Sequence, residues 1–226
     1  MVLSAYGKRF IKKSTSIAAL VMGLISLGVT AVLYSRLPET IPVHWNVRGE
    51  VDDYGPRYLA WVIGALPLLI YLLMRFLPTV DPRRKNYEKS ARAYNAAMIG
   101  IVALMMVLQL LILGSAAGFD LRVDMFVKAA VGVLFVVIGN YMGTIRSNFF
   151  FGIKTPWTLS SDEVWRKTHR LGGALFILAG LSFIGAAFIR GILSALIPLA
   201  MILAAVAVPI GYSYFLYRRM EQDAEK

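Results

Sequence analysis

Apolar residues fall along this chain in six runs, 16–34, 58–77, 93–117, 125–142, 171–189 and 192–217, with shorter polar stretches between them. Each run has about the 20 residues a helix needs to cross a bilayer core. Hydrocarbon leaves no partner for a free backbone amide, so such runs cross as helices. The pattern predicts an all-α integral membrane protein, a bundle of six transmembrane helices. Lys128 interrupts the fourth run, and Arg190-Gly191 alone divides the fifth from the sixth. The turns at 118–121 and 190–191 are tight, so helices three and four, and five and six, are expected as antiparallel hairpins.

Two polar stretches have a pattern of their own. In 41–48, Ile41, Val43, Trp45 and Val47 alternate with Pro42, His44, Asn46 and Arg48. A period of two predicts an extended strand, and Arg48-Gly49 is a turn signal. In 149–165, FFFGIKTPWTLSSDEVW carries five aromatics. Ser160 with Glu163 has the spacing of a capping box, which predicts a helix start there. Pro156 keeps Thr155 out of the helical region. Gly114 with Gly118, Gly139 with Gly143, and Ala207 with Gly211 recur at four-residue spacing, which lets helices approach closely. Gln109 and Asn140 are expected to hydrogen-bond across helices. Asp124 and Lys128 lie four apart and share a face.

Composition excludes a soluble domain: 58% of the 226 residues are hydrophobic and 16% charged. The net charge of +11 gives the bundle a direction. Eighteen of the 24 Lys and Arg residues flank one set of helix ends, five flank the other, and Lys128 lies within a span. The positive-inside rule then places both termini in the cytoplasm. The basic face suits the anionic lipid of a bilayer, and with no soluble domain to present it, direct nucleic-acid binding is not expected. The basic-then-apolar start is read as an uncleaved first helix, because its apolar run is long and further spans follow. The outer loop 37–57 sets Glu39, Glu50, Asp52 and Asp53 against Arg48 and Arg57, a charge of 2 − 4 = −2. Such a loop suits a cationic or amphipathic ligand, and is equally compatible with ordinary outer-loop acidity. The chain divides into an N-terminal module, 1–92, and a four-helix module, 93–226, with a cytoplasmic loop 143–170, in a single bundle without a transporter-like repeat.

Catalytic chemistry finds no footing. His44 and His169, the two histidines, fall on opposite sides of the predicted membrane, so they cannot share a metal. His44 with Asp52 or Asp53 is short of the three or four ligands of a zinc site. No enzyme activity, metal or cofactor is expected. The ligand-facing candidates are His44, Trp45, Asp52, Asp53 and Tyr54 on the loop, with Asp124 and Lys128 at the outer end of the fourth span. On the inner side the aromatics at 149–151 and Trp157 suit headgroup depth, and Trp165 shares a helix face with His169.

The segment 138–173, IGNYMGTIRSNFFFGIKTPWTLSSDEVWRKTHRLGG, closely resembles the signature of the SdpI-like immunity family. The resemblance rests on Gly139-Asn140, Arg146, Asn148, Phe151-Gly152, Ile153, Thr155-Pro156-Trp157-Thr158-Leu159, Val164-Trp165 and Thr168-His169. The loop IPVHWNVRGEVDDYG is similar to the module that commonly forms the N-terminal half of such proteins. The resemblance implies a multi-pass protein of a bacterial plasma membrane that confers resistance to a secreted toxin peptide. It also implies a receptor role, in which toxin-bound protein draws a small helix-turn-helix repressor to the membrane. Asn140, Arg146, Asn148, Gly152, Thr155, Pro156, Trp157, Thr158, Trp165 and His169 are then the cytoplasmic, partner-docking signature. The rival readings are a peptide or small-molecule exporter, and an anchor for a regulator without an immunity role.

Overall fold

The computed structural model describes residues 10–46 and 48–224. Val47 of the expected alternation, and Lys8, Arg9 and Lys226 of the charge count, lie outside the described residues. Six helices long and apolar enough to cross a membrane are present among the described residues: α1 (Lys13–Leu33), α2 (Leu59–Val80), α4 (Ala91–Ala116), α5 (Val123–Met142), α7 (Asp162–Ala186) and α8 (Leu193–Ala224). The short helices α3 (Asn86–Lys89) and α6 (Pro156–Ser160) lie in the connections. The chain is a multi-pass membrane protein, and its helices present large apolar side chains outward, Val32, Leu69 and Phe215 among them. In water such exposure would be costly; in lipid it is solvation.

Between α1 and α2 stands a two-stranded antiparallel sheet, β1 (Thr40–Trp45) and β2 (Val51–Pro56), paired from Thr40 with Pro56 to Trp45 with Val51. The expected strand is thus shorter than 41–48, and a second strand pairs with it. Asn46 builds the turn: its Oδ1 accepts from the amides of Arg48 and Glu50 at 2.8 and 3.1 Å. Gly49 supplies the left-handed residue, at φ 81°. Ile41 is wholly buried in a cluster with Leu37, Ala60 and Leu113, which seats the hairpin on the ends of α2 and α4.

Two sets of contacts hold the bundle. In the first, Gln109 of α4 donates to Ser26 O at 2.7 Å and to Thr30 Oγ1 at 2.8 Å, and accepts from Ser26 Oγ at 2.5 Å. Ser26 Oγ also approaches Gly64 O at 2.7 Å, so one wholly buried amide ties α1, α2 and α4. Interhelical bonding by Gln109 agrees with its expected role. Asn140 does not: it is exposed on α5 and forms no hydrogen bond through its side chain among the described residues. Its position on the helix turns it outward, which the residue type alone could not reveal.

In the second set, Gly132 and Gly139 of α5 face Gly180 and Gly173 of α7. A Cβ on Gly132 would lie 2.6 Å from Gly180 O, and one on Gly139 would lie 2.7 Å from Gly173 O; the reverse contacts are equally close. The seam therefore repeats every seven residues on two antiparallel helices. Of the glycines in the four-residue pairs, Gly139 alone lies in this seam at close approach: a Cβ on Gly143 would meet Arg170 only at 3.6 Å, and one on Gly118 or Gly211 would meet open space.

The polar connections between α2 and α4 and between α5 and α7 meet at the end of the bundle away from the hairpin, here the basic end. Asp81 is 2% exposed and accepts from Tyr87 Oη (2.9 Å), Arg83 N (2.7 Å) and Phe149 N (2.9 Å). Burial, and then the bond to Asp81, push the Tyr87 phenol above its ordinary range, so it remains a donor at neutral pH. Asp81→Ala removes the acceptor of all three bonds. It is expected to cost about 3 kcal/mol, measured by unfolding in mild detergent.

Candidate functional site

The hairpin end contains a cavity of about 440 Å³ under β1, between the starts of α5 and α8 and the far end of α7. Its walls are mainly apolar: Val43 and Trp45 from β1, Val127 from α5, Phe183 from α7, Pro198, Leu199 and Ile202 from α8. Set into this wall is a polar cluster. Lys128 Nζ is 3.4 Å from Asp124 Oδ2 and donates to Ser194 Oγ at 3.0 Å. The side chains of Lys128 and Asp124 are only 15% and 24% exposed. Screening by water is weak there, so the pair's field acts on whatever enters.

The local sequence explains the placement. Asp124 falls in the first turn of α5, where a carboxylate complements the positive helix end. Lys128 is one turn further on and bends back to it. Ser194 stands at the start of α8, its hydroxyl also donating to Gly191 O at 2.8 Å. The hairpin tip closes over them: a Cβ on Gly49 would touch the Asp124 carboxyl at 3.0 Å. A second cavity of about 470 Å³ adjoins on the far side of Asp124 and Ser194, and it is lined by Arg48, Arg122, Arg190 and Asp120.

The loop candidates separate into two groups. His44 and Trp45 line the apolar cavity with Asp124 and Lys128. Asp52, Asp53 and Tyr54 are exposed on β2 and line neither cavity. His44 Nδ1 lies 2.5 Å from Asp52 Oδ1 across the hairpin, an exposed pair. At the tip, Glu50 is held below its ordinary range by the Asn46 side chain first and the Arg48 charge second. The negative loop charge thus turns outward, while arginines and the Asp–Lys pair face the cavities. Ser194, Phe183, Arg122 and Arg190 were missed in sequence because they come from other helices or turns, with no local spacing to join them to His44.

At the basic end, His169 and Trp165 stack, with ring centroids 4.1 Å apart and planes at 19°. His169 Nε2 accepts from Ile153 N at 2.9 Å, and Nδ1 lies 2.8 Å from Trp165 O. An acceptor at Nε2 and a donor at Nδ1 define the neutral imidazole with its proton on Nδ1. Trp165 Nε1 donates to Ile145 O at 2.8 Å. Gly152, at φ 121°, passes so close over His169 that a Cβ there would collide with the ring.

Asn148 braces the aromatic turn, accepting from Phe150 N and Phe151 N and donating to Arg146 O and Phe151 O. Thr155 and Thr158 form the capping box of α6, with Pro156 as its first residue. The cap of α7 is Ser161, not Ser160: Ser161 Oγ accepts from Val164 N, whereas Ser160 Oγ donates back to Pro156 O. The turn of α6 consumes Ser160 and shifts the cap by one.

Asn148, Thr155, Thr158, Trp165 and His169 are buried, Gly152 and Trp157 are half-buried, and Arg146 and Pro156 are exposed with Asn140. Trp157 packs edge-on against Tyr214 of α8 at 5.0 Å. The signature therefore acts chiefly within the protein, fixing the shape of the loop. What the loop shows outward is Phe149, Phe150 and Lys154 with the exposed members.

Two family descriptions match separate parts of the chain. Residues 144–213, from the loop into α8, match the family described as the SdpI/YfhL protein family. Residues 21–71, which span the hairpin, match a domain of unknown function, DUF1648. Over 205 residues the chain is 26% identical to the Immunity protein SdpI of Bacillus subtilis (strain 168), covering 91% of this chain and 97% of that protein. No solved structure matches.

Proposed function

We propose that the chain is a member of the SdpI/YfhL family, which its residues 144–213 match, and that it is a membrane immunity protein, protecting the bacterial cell that carries it from a secreted peptide. The observation that carries the site assignment is the apolar cavity under the hairpin with a partly buried Asp124–Lys128–Ser194 cluster in its wall. An apolar peptide segment gains free energy by leaving water for such walls, about 25 cal/mol per Å² of apolar surface covered. Lys128, Asp124 and Ser194 then offer donors and an acceptor to a backbone or side chain that would otherwise enter without partners. With the hairpin outside the cell, as the positive-inside rule favours, the cavity meets the peptide before it can act on the bilayer.

A receptor role extends the same reading. α5 carries Asp124 and Lys128 at one end and runs into the signature loop at the other, while α7 carries Phe183 of the cavity and the Trp165–His169 stack. The glycine seam couples the two helices tightly. A peptide that binds one α7–α8 spacing better than another would shift the population of the basic end. A small helix-turn-helix repressor would then dock on the exposed face of that loop.

Expression in a peptide-sensitive strain tests this directly. The parent chain is expected to raise survival over an empty vector, and Lys128→Met, at equal membrane abundance, to remove at least about tenfold of that protection, the equivalent of one lost charge-assisted hydrogen bond. Failure of the parent to protect would remove the immunity role. Energy-dependent uptake of labelled peptide into proteoliposomes would replace it with export.

A further inference from the structure

A third cavity, of about 380 Å³, opens at the basic end and has no part in the peptide site. Three cations from three segments converge on it: Lys89 from α3, Arg146 from the loop after α5 and Arg166 from α7, with Asp162 as the one carboxylate. None of the three forms a salt bridge among the described residues. The nearby Glu163 gives its carboxylate to Lys167 instead, at 2.7 Å.

The frame of this pocket is fixed by bonds that leave the cationic groups unused. Arg146 N donates to Ser90 Oγ at 2.8 Å, Asn86 Nδ2 to Ser147 O at 2.7 Å, and the Trp165 indole to Ile145 O. Bringing like charges together costs free energy, and Asp162, with Glu163 acting on Arg166 while paired to Lys167, offsets it only in part. A bound anion would offset the rest.

We propose that this pocket binds the phosphate of an anionic phospholipid headgroup, with Lys89, Arg146 and Arg166 as its ligands. The lipid source is favoured by position. Lys89 stands just before α4 begins at Ala91, and Arg146 just after α5 ends at Met142. Both therefore lie where spans leave the hydrocarbon. Phe149 and Phe150 are exposed on the same loop, and aromatic rings favour that depth. Basic pockets between helix ends are the usual form of headgroup sites.

The test is lipid retention by the full-length protein in uncharged detergent, read by native mass spectrometry after titration with phosphatidylglycerol or phosphatidylcholine. Phosphatidylglycerol should be retained in preference. Each cation removed should weaken its binding about fivefold, in Arg146→Gln with Arg166→Gln and, separately, in Lys89→Gln, an exposed side chain with no hydrogen bond to lose. Arg218→Gln with Arg219→Gln, at the end of α8, should leave retention unchanged. Equal retention of phosphatidylcholine, equal loss in the α8 pair, or no loss in Lys89→Gln would overturn the assignment. Displacement of the lipid by inorganic phosphate at matching concentration would make it a free-phosphate site and overturn the lipid source.

Discussion

Trp165→Ala is expected to lower the unfolding free energy by about 3–5 kcal/mol, the range for deleting a buried aromatic. Trp165 is 1% exposed, stacks on His169 and donates to Ile145 O. Truncation removes the stack, leaves a cavity beside Gly152, and deprives a buried carbonyl of its donor. The loop 145–153 would then lose its seat on α7, because His169 orients Ile153 only while its ring is held. Trp165→Phe keeps most of the stack and loses the hydrogen bond, so about 1 kcal/mol is expected. Trp157→Ala, half-buried against Tyr214, should lie well below Trp165→Ala. Thermal or denaturant unfolding in micelles orders the three, and a Trp157→Ala loss as large as that of Trp165→Ala would refute the assignment of the loop's anchor.

Gly180→Val should be still more damaging. A Cβ on Gly180 meets Gly132 O at 2.6 Å and Val136 N at 2.8 Å, both backbone atoms that no rotamer change can move. α5 and α7 would have to separate along their whole seam, which exceeds the usual 1–3 kcal/mol of overpacking. In a bilayer no hydrophobic force restores the pairing, since lipid solvates the separated faces equally well. The expected result is loss of folded protein from the membrane fraction. Gly185→Val, in the same helix, meets nothing within 4 Å and should be tolerated within about 1 kcal/mol. The contrast isolates close approach from any general effect of valine.

The spans were legible because a membrane imposes one length and one polarity on them. The predicted runs agree with α1, α2, α4, α5, α7 and α8 apart from their ends. Elsewhere local pattern was a partial guide. β1 shows its period of two, whereas β2 is Val51-Asp52-Asp53-Tyr54-Gly55-Pro56, exposed at four of six positions and without an alternation to read. The hairpin partner was therefore invisible.

Spacing within one helix found Asp124 with Lys128 and Trp165 with His169, since each pair is one turn apart. It could not find the Gln109–Ser26 bond, 83 residues apart, or Ser194 as the third member of the cavity cluster. The glycine seam escaped because its period is seven on each helix and its meaning lies in the facing helix. The family signature was visible as a string. That most of it is turned inward, holding one loop in shape, follows only from the hydrogen bonds of Asn148, Thr158 and His169.

The peptide-facing cavity has a function only if the hairpin looks out of the cell. Since the chain has no cysteine, single ones report position cleanly: Tyr54→Cys on exposed β2 and Lys154→Cys on the exposed side of the signature loop. A membrane-impermeant maleimide applied to intact cells is predicted to label Tyr54→Cys and to reach Lys154→Cys only after permeabilisation. Labelling of Lys154→Cys on intact cells, with Tyr54→Cys protected, would contradict the assignment of the hairpin cavity as the site that meets the peptide.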